Sequence, residues 1–224
     1  MERRKGKFEQ LETDFGVNYN PDGLIGHPAL KTVIKPVSHY IRDWQHTYCS
    51  NGVASAHLAG ALHAIRGNPT LKREGIGLDT ITEYCSHFNV PASHGRVNKY
   101  WFDPDYLADD HVKHFASDVL HMIPCLLAFM VDLVQPYGVL LRHIAALDAL
   151  NKVMSCLLHI GRVTDEKLDE LQGLVDRHLQ LFVELYKNFV KVKFHHAGHI
   201  PNDLWKLGVG LSCLPLERKG NISC

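Results

Sequence analysis

The chain has 224 residues and a mass of 25.3 kDa, and 46% of its residues are apolar and 21% charged. This composition excludes an intrinsically disordered protein and is sufficient for one domain with a hydrophobic core. The 24 basic and 24 acidic side chains give a net charge of 0, which excludes a globally basic nucleic-acid-binding protein. Any contact with nucleic acid must therefore use a local basic patch.

Cysteine spacing and hydropathy predict an intracellular, soluble protein without a membrane partner. None of the 6 cysteines forms a C-x-x-C pair, which argues against a zinc ribbon or a thioredoxin-like motif. Residues 1–16 contain no apolar run of the kind that a signal peptide needs. The most apolar stretch, residues 122–134, is too short to span a bilayer.

The first part of the chain is predicted to be irregular, then briefly extended, then helical. Residues 1–35 are rich in turn-forming residues and have no clear periodicity. Residues 32–43 contain a short β-like run. Residues 44–65 have apolar side chains at helical spacing, and a Gly-Asn-Pro sequence ends this predicted helix.

The rest of the chain is predicted to be mainly helical. Residues 79–89 form a short helix, and residues 91–104 form a loop that its aromatic side chains hold against the body of the protein. Longer helices follow at residues 109–134, 140–160 and 164–190. Pro124 is expected to kink or divide the first of them. The predicted fold class is mainly α, with a small β element that looks like part of an incomplete sheet.

Asp43 and His46 form the first candidate site. Asp43 ends the β-like run, and His46 follows three residues later in the first turn of the predicted helix. A carboxylate at the end of a strand is a common metal ligand, and a neighbouring histidine can orient it. The same spacing fits a simpler interpretation, in which Asp43 caps the helix and His46 is an ordinary first-turn residue. Spacing alone favours the simpler interpretation.

A histidine cluster near the C-terminus is the second candidate. His195 and His199 are four residues apart and share one face of a helix, as two zinc ligands often do. The sequence identifies no third ligand, so a zinc hydrolase is a weak alternative. In the simpler interpretation, these histidines pack or bind phosphate beside Lys187, Lys191 and Lys193.

Glu217 is the third candidate. Arg218 and Lys219 follow it directly, so a metal-binding carboxylate could lie beside bases that contact phosphate. A solvated charged run close to the end of the chain is the simpler interpretation.

In this order, the motifs resemble the C-terminal part of DDE-type transposases of the CACTA-like kind, including Plavaka-like elements. The family's second catalytic region reads Asp-x-x-His and then Gly-Val, similar to Asp43 to His46 and to Gly52 with Val53. Gln45 stands where the family typically has Met. The family's Ala-Ser-Glu element before an apolar helix is similar to residues 115–120, which read FASDVL.

Two further motifs carry the resemblance towards the C-terminus. The family has a His-Leu pair, a helix with a tyrosine and then Lys-x-His-x-x-x-His-Leu-Pro. The matching residues are His178, Leu179, Tyr186, Lys193, His195, His199, Ile200 and Pro201, with Ile in place of Leu. The closing Glu-Arg of the family is similar to Glu217 and Arg218. The resemblance spans roughly residues 15–219.

The resemblance implies a helical insertion region joined to a small β remnant of an incomplete RNase H-like core. Residues 1–35 would be the irregular N-terminal segment, and residues 36–66 the remnant with the Asp-x-x-His motif. Residues 67–192 would be the helical insertion, and residues 193–224 the segment with the histidine cluster and Glu-Arg.

The implied chemistry is metal-dependent cleavage and transfer of DNA strands. Asp43 and Glu217 would hold Mg²⁺ or Mn²⁺, with His46 beside them, as in two-metal phosphoryl transfer. The implied partner is DNA at the transposon ends, in the nucleus, with a possible homo-oligomer. The predicted DNA-binding residues are Lys191, Lys193, His195, His199, Arg218 and Lys219.

The first catalytic Asp of the family has no counterpart in the sequence. Asp14 and Asp22 are the only aspartates before Asp43, and neither follows a hydrophobic strand. The sequence therefore predicts a fragment of a transposase that is inactive alone. The alternatives are a non-catalytic helical interaction or DNA-binding module derived from a transposase and, less favoured, a zinc hydrolase that uses His195 and His199.

Overall fold

The computed structural model describes residues 29–30, 41–88 and 100–208. In these ranges 75% of the residues are helical and none belongs to a strand, so the predicted mainly α class is confirmed. The chain divides into two units, Met1–Arg42 and Asp43–Cys224, and the helices described below belong to the second. Most of the predicted β-like run lies outside the described residues, and residues 41–43 form no strand. The RNase H-like remnant stays a prediction.

The predicted helix at 44–65 is in fact two helices, α1 (Trp44–Tyr48) and α2 (Val53–Gly67). A tight turn separates them, and in it Asn51 takes a left-handed conformation with φ of 47°. The Asn68 side chain then accepts hydrogen bonds from the backbone of α3 (Pro69–Arg73), which the sequence analysis did not predict. The short helix α4 (Leu78–Ser86) agrees with the helix predicted at 79–89.

Helix α5 (Ala116–Phe129) starts seven residues later than the helix predicted at 109–134. The preceding residues are held instead against α2, where Ser55 and Val112 exchange two hydrogen bonds of 2.9 and 3.3 Å. Pro124 lies inside α5 and does not divide it. The helix changes only further on, to a π-helical turn at Met130–Val134 and a 3₁₀ turn at Gln135–Tyr137.

The helical stretch Ala116–Tyr137 is long and apolar enough, by length and composition alone, to cross a membrane. It has 22 residues, and an 18-residue part of it has a mean hydropathy of 1.7. The apolar stretch at residues 122–134, which was predicted to be too short to span a bilayer, is part of this longer helix. Its apolar side chains Val119, Met122, Leu126 and Phe129 are fully buried in the core. This burial is consistent with a soluble protein.

Three further helices complete the described part of the bundle. Helices α6 (Leu141–His159) and α7 (Asp165–Tyr186) pack against each other and agree with the helices predicted at 140–160 and 164–190. Thr164 caps α7, since its hydroxyl accepts a hydrogen bond from the Lys167 backbone. Helix α8 (Val192–Leu207) packs on α7 and on α1.

The core lies between these helices and includes the loop that precedes α5. Trp101 and Phe102 are buried, as expected for aromatic side chains that hold the loop against the body, whereas Tyr100 stays exposed. On α7, Leu171 and Phe182 are fully buried in the same cluster. The amphipathic pattern of α7 therefore identified its core face correctly.

Candidate functional site

Asp43 caps the first turn of α1. One of its carboxylate oxygens accepts a hydrogen bond of 2.8 Å from the Gln45 backbone, and the other lies 2.9 Å from Nδ1 of His46. The expected cap at Asp43 is therefore confirmed, and the second contact holds the His46 ring in place. The carboxylate stabilises the positive end of the short helix, since it satisfies a backbone N–H that has no partner within the helix.

Lys193 joins the C-terminal histidine motif to the Asp43 segment. Its ammonium donates hydrogen bonds to the backbone carbonyls of His46, at 3.1 Å, and Ser50. These carbonyls belong to α1 and to the turn that follows it, where a cation is favourable. Burial lowers the pKa of Lys193, and repulsion from Lys191 lowers it further. The predicted DNA-binding residue Lys193 thus has a structural role.

Lys191 makes a second connection between α8 and this region. Its ammonium lies 2.9 Å from the Asp110 carboxylate and 3.3 Å from the Asn51 side-chain oxygen. The pKa of Asp110 is lowered to about 2, mainly by its hydrogen bond with His111 and then by the one with Lys191. An ammonium has three donors, and these are the two acceptors of Lys191 among the described residues, which leaves one N–H for a further acceptor such as a phosphate oxygen.

His195 and His199 lie on one face of α8, as their spacing predicted. Their Nε2 atoms are 3.1 Å apart, and the two rings meet edge to face. Across residues 29–30, 41–88 and 100–208, however, no group of three or more His, Cys, Asp or Glu side chains is arranged to hold a metal ion. Within these ranges the zinc hydrolase therefore still lacks a third ligand.

Of the two predicted ligands of Mg²⁺ or Mn²⁺, Asp43 lies within the described residues. A two-metal site needs several carboxylates around a pair of ions. The part of the chain that the structure describes offers no such group, and both oxygens of Asp43 already have partners. These residues by themselves do not fit a two-metal site. Glu217, Arg218 and Lys219 lie outside the described residues.

A buried histidine pair is the feature that sequence reasoning missed. Nδ1 of His57 on α2 lies 2.9 Å from Nε2 of His178 on α7, and the two rings are stacked with their centroids 5.2 Å apart. Both side chains are fully buried. The other ring nitrogen of each has no hydrogen-bond partner within the described ranges. The available signal was the position of His57 in the middle of an otherwise apolar helical run.

Burial keeps this pair uncharged. The pKa of His57 lies well below its ordinary value, mainly because of burial and then because of His178 and His143. Burial also lowers the pKa of His178, to about 3. Tyr48 and Tyr186 face the pair, and the hydroxyl of each is another buried polar group without a partner in the described part of the chain.

Segments from three of the motifs meet at one corner of the bundle. Asn51 follows the Asp-x-x-His helix, and it lines a cavity of about 460 Å³ together with Phe115 and Asp118 at the start of α5. Lys191, two residues before Lys193, contacts the Asn51 side chain. Comparison of the chain with known protein families, curated proteins and solved structures gave no match.

Proposed function

We propose that this chain is a fragment of a transposon-encoded DDE transposase that binds DNA and does not cleave it alone. The observation that carries the proposal is the contact of Lys193 with the carbonyls of His46 and Ser50. This contact joins two motif segments that are 147 residues apart in the sequence. A DDE nuclease needs such a fold, since its carboxylates come from distant segments and must converge on the same metal ions.

The resemblance supplies the rest of the proposed activity. In the complete protein, Asp43 and Glu217 would bind Mg²⁺ or Mn²⁺, which would supply the activation of the nucleophile and the stabilisation of the leaving oxygen. The first catalytic Asp of the family has no counterpart in this sequence, so the proposed fragment does not cleave DNA strands alone. DNA at the transposon ends, a homo-oligomer and a nuclear location are parts of the same proposal.

DNA binding is proposed to use the start of α8, where Lys191 keeps a donor for a phosphate. We expect the affinity of the chain for duplex DNA to fall as salt rises, because bound cations are released from the DNA. Lys191→Gln should weaken binding and make the slope of log K against log salt shallower by about one. Fluorescence anisotropy of a labelled duplex over a salt series measures this slope.

A matched control removes a cation of α3 rather than one at the start of α8. Arg73 on α3 has a 75% exposed side chain, and Arg73→Gln should leave the salt slope unchanged. The proposal fails if the wild-type chain does not bind duplex DNA. It also fails for Lys191 if the two variants change the slope equally.

Asp43→Asn separates a capping role from a metal-binding role. Asn caps helices as well as Asp, so the thermal stability of the variant should stay close to that of the wild type. The amide is a much weaker ligand for a hard divalent cation than a carboxylate. If Asp43 contributes to a metal site, calorimetric titration with Mn²⁺ should show binding to the wild type that Asp43→Asn loses.

The second candidate function is a non-catalytic helical interaction module derived from a transposase. The observation that favours it is the structural use of the motif residues, since Asp43 caps α1 while Lys191 and Lys193 hold the turn after it. Equal Mn²⁺ titrations for the wild type and Asp43→Asn would favour this module. Loss of Mn²⁺ binding in Asp43→Asn, with stability kept, would exclude it.

A further inference from the structure

The cavity beside Asn51 is lined mainly by rings. Its volume is about 460 Å³, within the range of roughly 300–1,000 Å³ that is usual for small-ligand sites. Five of its lining side chains carry aromatic or imidazole rings, and these are Tyr100, Tyr106, His111, His114 and Phe115. Phe115 is 81% exposed, so a flat ligand has access to its ring.

Three of these rings, those of Tyr100, Tyr106 and His114, pack against one another on one side of the cavity. Tyr106 and His114 are stacked, with an interplanar angle of 15° and centroids 5.2 Å apart. The ring centroids of Tyr100 and Tyr106 are 5.9 Å apart, and the two rings are tilted relative to each other. His114 is also fixed from behind, since its Nε2 lies 3.0 Å from the carbonyl oxygen of the buried Trp101.

The backbone that carries these rings, at residues 106–113, is also held by hydrogen bonds. The Lys113 N–H donates a hydrogen bond of 2.8 Å to the carbonyl of Tyr106, and an isolated bridge joins Leu107 to Val112. Val112 is bound in turn to Ser55 of α2. The rings therefore sit on a preformed support, which reduces the conformational entropy that a ligand has to overcome on binding.

Charge does not dominate the cavity. Lys113 and Asp118 both line it, so their charges oppose each other. Burial lowers the pKa of His114, which favours the neutral ring at neutral pH. Binding in this cavity must therefore depend on ring contacts more than on attraction to phosphate.

We propose that this cavity binds an unpaired nucleotide of single-stranded DNA, with its base stacked on the exposed aromatic rings. The inference deepens the proposed function and rests on it, because it names the form of DNA that reaches the corner where Lys191 contacts Asn51. Base–aromatic stacking is tolerant of sequence, since every base has a flat π-face. A duplex keeps its bases stacked inside and cannot fill the cavity in this way.

The test uses the full chain and a fluorescein-labelled oligothymidylate of about 12 nucleotides, which matches the site sizes of single-strand binders. Phe115→Ala and Tyr106→Ala should each weaken binding about 5- to 150-fold, as expected for the loss of one stacked base. Phe115→Trp should keep the affinity. Because the contact is apolar, the fold loss for Phe115→Ala should be the same at low and high salt.

Tyr137→Ala is the matched control. Tyr137 is an exposed tyrosine in the 3₁₀ turn after α5 and does not line the cavity, so its loss should leave the affinity unchanged. A second readout needs no variant. A 5-iododeoxyuridine oligonucleotide should photocrosslink to Tyr100, Tyr106 or Phe115, as located by peptide mass spectrometry.

The outcomes separate this inference from the function on which it rests. Duplex binding that depends on Lys191, together with single-strand binding that is insensitive to Phe115 and Tyr106, overturns the cavity proposal alone. Crosslinks that map only outside the cavity overturn it as well. Absence of binding to either form of DNA overturns both proposals.

Discussion

Gly52→Ala is expected to lower the free energy of unfolding by about 3 kcal/mol or more, because the turn between α1 and α2 has no room for a side chain. A Cβ at this position would lie 2.1 Å from the carbonyl oxygen of Thr47 and 2.7 Å from that of Tyr48. Both atoms are backbone, so neither can rotate away. The φ of Gly52 is −114°, which any residue can adopt, so the cost is purely steric.

The same substitution at an open position serves as the control. Gly173 lies inside α7, and a Cβ there would meet no atom within 4 Å. Gly173→Ala should therefore stabilise the protein by about 0.5–1 kcal/mol, since alanine loses less backbone entropy in a helix. Urea unfolding of the two variants gives the comparison. A wild-type free energy of unfolding for Gly52→Ala would show that the turn can open without cost.

Gly52 also matters for the candidate site. The turn that it closes carries Ser50 and Asn51. Ser50 accepts a hydrogen bond from Lys193, and Asn51 accepts one from Lys191. A shift of this turn should therefore weaken duplex binding in Gly52→Ala under conditions where the variant is still folded. Far-UV circular dichroism at the binding temperature identifies those conditions.

Acid is expected to destabilise the protein strongly, because folding keeps His57 and His178 uncharged. Both side chains are fully buried and their pKa values are lowered in the folded state, that of His178 to about 3. In the unfolded chain each histidine takes up a proton near pH 6.5. The contribution of the neutral pair to stability is therefore fully present above this pH. It is lost as the pH falls, by about 1.4 kcal/mol per pH unit for each histidine.

The window between pH 6.5 and 5 separates this effect from that of the carboxylates. The lowered pKa of Asp110 affects the free energy of unfolding only at lower pH, near and below the ordinary carboxyl pKa of about 4. Half-buried His114 and His143 also have lowered pKa values. They therefore also make the free energy of unfolding fall with pH over part of the window. Urea unfolding at pH 7.5, 6.5 and 5.5 should show a small change in free energy between pH 7.5 and 6.5 and a much larger fall between pH 6.5 and 5.5.

A double variant assigns the slope to the pair. His57→Leu with His178→Leu removes both groups and should flatten the dependence of unfolding free energy on pH in this window. The exposed His159 is the control, and His159→Gln should keep the wild-type slope. If the double variant folds at pH 7.5 and keeps the full slope, the acid sensitivity arises elsewhere.

The sequence was sufficient for features that depend on neighbours along the chain. The helices α6 and α7 were predicted to within a few residues because their apolar side chains repeat at helical spacing over many turns. The cap at Asp43 and the shared face of His195 and His199 follow from the geometry of one helical turn. The mainly α class follows from the same local patterns.

Features that depend on contacts between distant segments were decided only by the tertiary structure. The helix predicted at 44–65 breaks because Gly52 lies against the Thr47 backbone, and α5 starts late because Val112 is bound to Ser55. His57 and His178 are 121 residues apart, and the sequence around either histidine does not predict its contact with the other. The structural contacts of Lys193 could not be predicted for the same reason, since its acceptors are backbone carbonyls, which every residue has. Local periodicity specifies which residues form helices, but the partners of a buried polar group are set by how those helices pack.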